Sequence, residues 1–239
     1  MSRIGVMQGR LSPRLKNKSY QYFPTDTWQQ EFEIAASLGF DYIELVEDGL
    51  KLSSNQPYYV GDDYFINLNY DNIKKYQELT KKTGVKTFAL CLDAFFIYLD
   101  NNSRCKILLE VIKLGKEIGL QKITLPYIES NSLETQENVN NLIKLLNTCL
   151  WTARKNNITL CLELDLGNEL RNCLFNIPPL TLNDVGITLD TGNYTYYNGD
   201  LWDTSWEFSV GRIRHLHIKD RLKTGESCII GSGCTNFKT

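Results

Sequence analysis

The sequence predicts an α/β protein in which parallel strands and outer helices alternate to form a (β/α) barrel of one domain, residues 1–239. Short apolar, β-branched runs alternate with helix-like segments along the chain, and several of these segments end at a glycine. This alternation predicts parallel strands joined by helical crossovers. The length of 239 residues is close to that of a complete barrel, roughly 250 residues.

The first half of the chain predicts three βα units. Polar residues that cap helices precede the helical segments, and Gly39, Gly84 and Gly119 follow them as expected for C-caps. The elements expected here are strand 3–8, helix 28–38, strand 42–46, helix 71–82 capped by Asp71, strand 85–92, and a helix that Ser103 caps. Residues 51–68 form a long aromatic loop, which could either cover a substrate or be a packed surface insertion.

The second half continues the pattern. It predicts strand 122–125, helix 132–155, strand 158–163, a short helical stretch at 168–175, strand 185–190, helix 201–210 and strand 212–218. Seven units suit a barrel better than an open sheet. The absence of a GxGxxG sequence after the first strand argues against dinucleotide binding.

Composition excludes several classes of protein. The formal net charge is −2, so no basic excess favours nucleic-acid binding. The sequence shows no signal peptide and no membrane-length apolar run. Seven cysteines, an odd number without a CxxC pair, argue against a disulfide framework. A cytoplasmic protein is the expectation.

Three polar residues end predicted strands: Glu163, Asp190 and His217. Residues at this end of barrel strands point to the catalytic mouth, and two carboxylates with an imidazole can bind a divalent transition metal. The alternative is that the two acids are solvated at the strand ends or cap the following helices, and that the histidine is satisfied in the core. His215, the only other histidine, lies on the same face of its strand as His217.

Several motifs together resemble the sugar phosphate isomerase/epimerase family, which has the xylose isomerase-like TIM-barrel fold. The resemblance covers the whole chain. Its motifs are Ile4–Pro13, Phe23-Pro24, Trp28–Glu33, Leu38–Glu44, Asp190–Asn193 with Gly199-Asp200, His215–Arg221, and Gly231–Gly233 with Phe237.

The resemblance implies one divalent metal ion, with Mn²⁺ favoured over Zn²⁺, Co²⁺ and Mg²⁺. Glu163, Asp190 and His217 match three of the family's four ligands, and Glu163 also matches one of its two acid/base residues. The implied reaction is proton transfer through an enediolate, giving isomerisation or epimerisation of a sugar or sugar phosphate.

Other residues match supporting positions of the family. Glu44 resembles a substrate-contacting acid, and Lys219 belongs to a stretch that supports the site in the family. Gln8 and Arg10 leave the first strand at the mouth of the barrel. All four are expected to contact substrate. Arg10 or Arg221 could hold a phosphate or carboxylate, or could instead form a surface salt bridge. Asp220 and His215 are expected to support His217, because an acid beside a ligand histidine can orient its ring.

The sequence departs from the family in two places. Asn193 stands where many relatives have a histidine, which removes one proton shuttle. The chain ends at Thr239, after the glycine turn, so the strand-eight glutamate that would be the fourth ligand and second acid/base is not in it. Truncation, degeneration, or substitution by Glu47 or Glu129 could explain this. The edges of strands one and seven would then need covering, for instance in a homo-oligomer.

Two other functions remain open. The first is a catalytically inactive barrel that binds a sugar or a partner subunit. The second is an apurinic endonuclease like those of the same superfamily, which the two histidines and the net charge disfavour. No nucleic acid or membrane partner is expected.

Overall fold

The computed structural model describes residues 3–13, 27–47, 68–92, 100–127, 133, 135–164, 185–199 and 210–238. Three predicted segments lie outside the described residues. They are the aromatic loop except for Leu68, the helix predicted at 168–175, and the helix predicted at 201–210 except for Val210.

The described elements alternate as the sequence predicts. A short 3-10 turn, Val210–Arg212, precedes the last strand of the parallel series. The elements are β1 Gly5–Met7, α1 Gln30–Ser37, β2 Tyr42–Glu47, α2 Tyr70–Thr83, β3 Lys86–Leu92, α3 Asn101–Glu117, β4 Lys122–Tyr127, α4 Gln136–Lys155, β5 Thr159–Leu164, β6 Val185–Asp190, α5 Thr191–Asn198, β7 Ile213–His217, β8 Asp220–Arg221 and β9 Ser227–Cys228.

The chain divides into two compact units. The first comprises residues 1–123 with 151–158, and the second comprises residues 124–150 with 159–239. The assignment of residues 1–239 to one domain stays a prediction.

The first unit is built on parallel pairing of β1 with β2 and of β2 with β3. Its helices α1 and α2 meet through a buried aromatic cluster of Trp28, Phe32 and Tyr76. The ring centroids of Trp28 and Tyr76 are 4.8 Å apart, and those of Phe32 and Tyr76 are 6.2 Å apart. All three rings are buried, so their contacts stabilise the packing of the two helices.

Two predicted helix caps were wrong by a few residues. Asn69, and not Asp71, caps α2, because its side chain accepts the N–H of Asn72 at 3.1 Å. Asp100, and not Ser103, caps α3 and accepts the N–H of Ser103. Several neighbouring residues at each site could cap a helix, so sequence alone did not identify the right one.

A buried carboxylate anchors the loop that follows β1. Glu31 on α1 is 1 % exposed, and its Oε1 accepts the N–H groups of Gly9, Leu11 and Ser12 at 2.9–3.0 Å. Its Oε2 accepts the N–H of Gly9, at 2.9 Å. Gly9 has a φ of 86°, a conformation that favours glycine. Glu31 therefore binds the backbone of the loop that carries Arg10 at three residues.

Replacing Glu31 with alanine should lower the free energy of unfolding by about 2–4 kcal/mol, because three backbone donors lose their acceptor. Replacement with glutamine should cost only ~1 kcal/mol, because one amide oxygen can keep the three bonds that Oε1 makes. Urea unfolding of both variants measures the difference. Equal losses in the two variants would contradict this account of the loop.

The burial of Glu31 also predicts that the stability of the fold depends on pH. Burial raises the pKa of the Glu31 carboxyl above its ordinary 4.5, although hydrogen bonds from Gly9, Leu11 and Ser12 oppose the shift. Above pH 4.5 the folded state therefore holds a proton that the unfolded state has released, and stability falls as the pH rises through this window. Glu31→Gln should remove this component, as unfolding measured from pH 4 to about 7 would show.

The second unit contains the parallel strands β5, β6 and β7, with β4 beside β5. Every residue of β6 is buried, as expected for a strand covered on both faces. Thr124 on β4 and Thr188 on β6 share a buried hydroxyl–hydroxyl bond of 2.9 Å. The short strands β8 and β9 pair antiparallel after β7.

Helix α5 begins directly where β6 ends. Asp190 is both the last residue of the strand and the N-cap of the helix, and its Oδ1 accepts the N–H of Asn193 at 2.8 Å. No described helix of the chain is long and apolar enough to cross a membrane.

Candidate metal centre

Three neighbouring strands of the second unit each place one predicted ligand at the same edge of the sheet. Glu163 lies near the end of β5, opposite Thr188 of β6. Asp190 ends β6 opposite His217, the last residue of β7. Because the strands are parallel, their carboxyl ends meet at one edge and bring the three side chains together.

The three side chains could hold a metal ion. One ligand atom from each of Glu163, Asp190 and His217 lies within 4.8 Å of the others. His217 Nδ1 is 3.5 Å from Glu163 Oε2, close to the ~3.4 Å that separates two ligands of a tetrahedral ion bound at about 2.1 Å. Glu163 and Asp190 are 4 % and 7 % exposed. The spacing and burial of the three groups fit a divalent cation.

The charges at this edge also favour a cation. Burial raises the pKa of the Asp190 carboxyl, and the nearby negative charge of Glu163 raises it further. Lys219, the N–H of Asn193 and His217 act in the opposite direction. Two buried carboxylates side by side are costly unless positive charge lies between or beside them.

Lys219 places an ammonium group beside the carboxylates. Its Nζ is 3.8 Å from Asp190 Oδ2 and donates to Asn193 Oδ1 at 2.9 Å. Its backbone is held twice by Thr191, whose hydroxyl donates to the Lys219 carbonyl at 2.6 Å and accepts the Lys219 N–H at 3.0 Å. A Cβ on Gly192 would lie 3.1 Å from Lys219, so this close approach requires a glycine or a local shift.

Asp220 binds the backbone of the glycine turn. This fully buried carboxylate accepts the N–H groups of Gly231 and Gly233 on Oδ2, at 2.9 and 2.8 Å. Its Oδ1 accepts the N–H groups of Arg221 and Thr235, at 2.9 and 3.0 Å. Burial would raise the pKa of Asp220, but these hydrogen bonds outweigh burial and lower it. Its predicted role in orienting His217 stays a prediction.

His215 and Arg221 are the remaining predicted site residues of the second unit. The ring centroids of His215 and His217 are 5.0 Å apart in an edge-to-face arrangement, as expected for alternate residues of one strand. The Arg221 guanidinium lies 5.4 Å from the centroid of the Tyr196 ring. Arg221 Nε is buried and has no hydrogen-bond partner among the described residues.

Gln8, Arg10 and Glu44 belong to the first unit. Gln8 is 2 % exposed, and its Oε1 accepts the N–H of Val46 at 3.3 Å. Its Nε2 is buried without a hydrogen-bond partner in the described part of the chain. Arg10 Nη2 lies 3.6 Å from the sulfur of Met7, and Glu44 is buried at the end of the β1–β2 pairing. Their predicted contacts with substrate stay predictions.

Sequence reasoning treated Asn193 only as the loss of a histidine. In the structure its amide Nδ2 donates to Glu163 Oε1 at 3.0 Å, while its Oδ1 accepts from Lys219. The sequence signal was present, since Asn193 lies three residues after a strand-end acid that can cap a helix. Which way its side chain points depends on how α5 packs against β6 and β8.

Comparison with known proteins supports this architecture. The family model described as Xylose isomerase-like TIM barrel matches residues 32–239. No curated protein matches the chain.

Several solved structures share the fold. A D-tagatose 3-epimerase-like protein is 19 % identical, with a TM-score of 0.66 over 99 % of this chain and 83 % of that one. A sugar phosphate isomerase/epimerase from Parabacteroides distasonis is 14 % identical, with a TM-score of 0.62 over 96 % and 77 %. A probable 3-DHS dehydratase, AsbF, from Bacillus anthracis is 16 % identical, with a TM-score of 0.64 over 99 % and 86 %. At these identities the likeness shows the fold alone.

Proposed function

The chain belongs to the xylose isomerase-like TIM-barrel family, and on that premise we propose that it is a divalent-metal-dependent isomerase or epimerase of a sugar or sugar phosphate. Family membership confirms the fold class predicted from the sequence. The observation that carries the functional proposal is the buried group of Glu163, Asp190 and His217.

In this proposal Glu163, Asp190 and His217 hold the metal ion. One nitrogen and two carboxylate oxygens suit Mn²⁺, and Zn²⁺ or Co²⁺ would also fit this donor set. Mg²⁺ usually prefers oxygen ligands and waters, so it is a weaker candidate. When bound, the ion supplies a Lewis acid that polarises a substrate carbonyl.

Glu163 is proposed to move the proton. Its carboxylate takes a proton from the carbon next to the substrate carbonyl, and the electron pair of the broken C–H bond forms the enediolate. Return of a proton to the neighbouring carbon gives isomerisation, and return to the opposite face of the same carbon gives epimerisation. Glu47 and Glu129, the alternative second acids, have side chains outside the described residues.

The second unit also supports a preference within this substrate class. The N–H groups of Gly231 and Gly233 both donate to Asp220, so they are already bonded and do not offer a phosphate-binding turn. Lys219 and Arg221 remain as the cationic side chains proposed to contact the substrate. We therefore favour an unphosphorylated sugar, with a sugar phosphate as the alternative.

A metal-free sugar-binding protein is the second candidate. It is favoured by one observation, the Lys219 ammonium 3.8 Å from Asp190, because this residue already supplies a positive charge beside the carboxylates. Such a protein would bind a sugar without exchanging its protons.

Proton exchange in heavy water separates the two candidates. The metal-stripped protein would be incubated in D₂O with ketohexoses including D-tagatose, and with ketose phosphates, with either Mn²⁺ or EDTA present. If the proposal is right, the natural sequence introduces deuterium into the sugar, next to the carbonyl, only when Mn²⁺ is present. The Asp190→Asn variant introduces none even with Mn²⁺. Sugar binding without exchange in the presence of Mn²⁺ would support the second candidate and contradict the first.

Gln8 offers a separate test of substrate contact. Gln8→Leu should raise KM about tenfold, because a buried donor available for a sugar hydroxyl is lost, a contact worth about 1.4 kcal/mol. Mn²⁺ affinity should be unchanged. Gln77→Leu, at an exposed helix position that bonds the carbonyl of Glu117, is the matched control. An unchanged KM in Gln8→Leu would remove Gln8 from the proposed set of substrate contacts.

A further inference from the structure

Asn193 contacts both carboxylates and the ammonium of the candidate centre. It lies in the first turn of α5 and is 1 % exposed. Its side-chain amide donates to Glu163 at 3.0 Å and accepts from Lys219 at 2.9 Å, while its backbone N–H donates to Asp190 at 2.8 Å. One residue therefore joins the side chains of Glu163 on β5, Asp190 on β6 and Lys219 between β7 and β8.

The contact with Glu163 selects one carboxylate oxygen. Asn193 Nδ2 occupies Oε1, and Oε2 is the oxygen that lies 3.5 Å from Nδ1 of His217. A free carboxylate could rotate about its last bond and present either oxygen, or neither, toward His217. A donor fixed on Oε1 removes that freedom and keeps Oε2 directed toward the other ligand.

The contact with Lys219 separates opposite charges. The amide oxygen of Asn193 accepts the ammonium, and its amide nitrogen faces the carboxylate of Glu163. An apolar side chain here would leave both charged groups without this partner. The ammonium could then pair with Glu163 directly, which would compete with a bound cation for the same oxygens.

We infer that Asn193 is a positioning residue that holds Glu163 ready for a divalent metal ion by fixing one oxygen and keeping Lys219 apart from it. The inference rests on the metal-binding function proposed above. Partners of metal ligands typically change metal affinity by about 10- to 100-fold when they are removed.

The test compares two replacements in the same helix. Asn193→Leu keeps the approximate size of the side chain and removes both amide contacts. Thr195→Val is the matched control, because Thr195 is also buried, the replacement is isosteric, and its hydroxyl has no hydrogen-bond partner among the described residues. Asn193→Ser, which is smaller and polar, serves if the leucine variant does not fold.

Mn²⁺ affinity is measured by calorimetry on metal-stripped protein, and the Tm of each variant confirms folding. We expect Asn193→Leu or Asn193→Ser to bind Mn²⁺ about 10- to 100-fold more weakly than the natural sequence, and Thr195→Val to bind within about twofold of it. If the folded Asn193 variants bind Mn²⁺ with the affinity of the natural sequence, the inference is overturned and the proposed metal centre stands. No Mn²⁺ binding by the natural sequence would overturn both.

Discussion

Replacing Glu163 with glutamine should abolish Mn²⁺ binding and turnover together. The change removes the charge of one proposed ligand and the carboxylate proposed to move the proton, while the side chain keeps its size. Loss of general acid–base catalysis alone typically costs 10²- to 10⁴-fold. With Mn²⁺ binding also lost, we expect kcat/KM to fall at least about 10³-fold, equivalent to ~4 kcal/mol of transition-state stabilisation.

Glu226→Gln is the control for this experiment. Glu226 is exposed in the β8–β9 hairpin and contacts the hydroxyl of Thr224 at 3.3 Å. The same chemical change there should leave both Mn²⁺ affinity and kcat/KM within about twofold, as usual for surface substitutions. A Glu163→Gln variant with a tenth or more of natural activity would show that Glu163 does not carry the reaction.

Replacing Asp220 with asparagine should destabilise the second unit strongly. Each carboxylate oxygen of Asp220 accepts two backbone N–H groups. An asparagine must place its NH₂ group against one of these pairs, so two donors lose their acceptor and face a third donor. We expect a loss of about 3 kcal/mol in the free energy of unfolding, measured by urea unfolding.

Asp100→Asn provides the contrast. Asp100 also accepts backbone N–H groups, but as the exposed cap of α3, where asparagine serves nearly as well. This variant should lose much less stability than Asp220→Asn. Similar losses at the two positions would contradict the view that Asp220 is the anchor of residues 231–235.

The Asp220 variant also has a predicted acid dependence. Because the pKa of the folded-state carboxyl is lowered below 3.8, the carboxylate contributes stability above pH 3.8. That contribution is lost as the pH falls below 3.8 toward the folded-state pKa. The natural sequence should therefore lose stability more steeply than Asp220→Asn in this acidic range.

The fold was predicted from the alternation of strands and helices along the chain. The candidate metal ligands were predicted from the polar residues at the ends of strands. Glu163, Asp190 and His217 follow apolar strands, and parallel pairing necessarily brings such residues to one edge. Strand periodicity also placed His215 beside His217. These features depend on the order and periodicity of strands and helices, which the local sequence specifies well.

Side-chain directions were not predictable in the same way. Asn193 and Asp220 were noticed in the sequence, but their hydrogen bonds depend on how α5 and the glycine turn pack. Glu31 was expected only as a residue of the predicted helix 28–38 and of the motif Trp28–Glu33, although it binds the loop after β1. Contacts of this kind join residues distant in sequence, and no local pattern specifies them.

The most direct test of the central claim is a calorimetric titration of the metal-stripped natural sequence with Mn²⁺. The arrangement of Glu163, Asp190 and His217 predicts one ion bound per chain with micromolar affinity, and loss of that binding in Asp190→Asn. A folded protein that takes up no Mn²⁺, Zn²⁺ or Co²⁺ would contradict the proposal of a metal-dependent isomerase or epimerase.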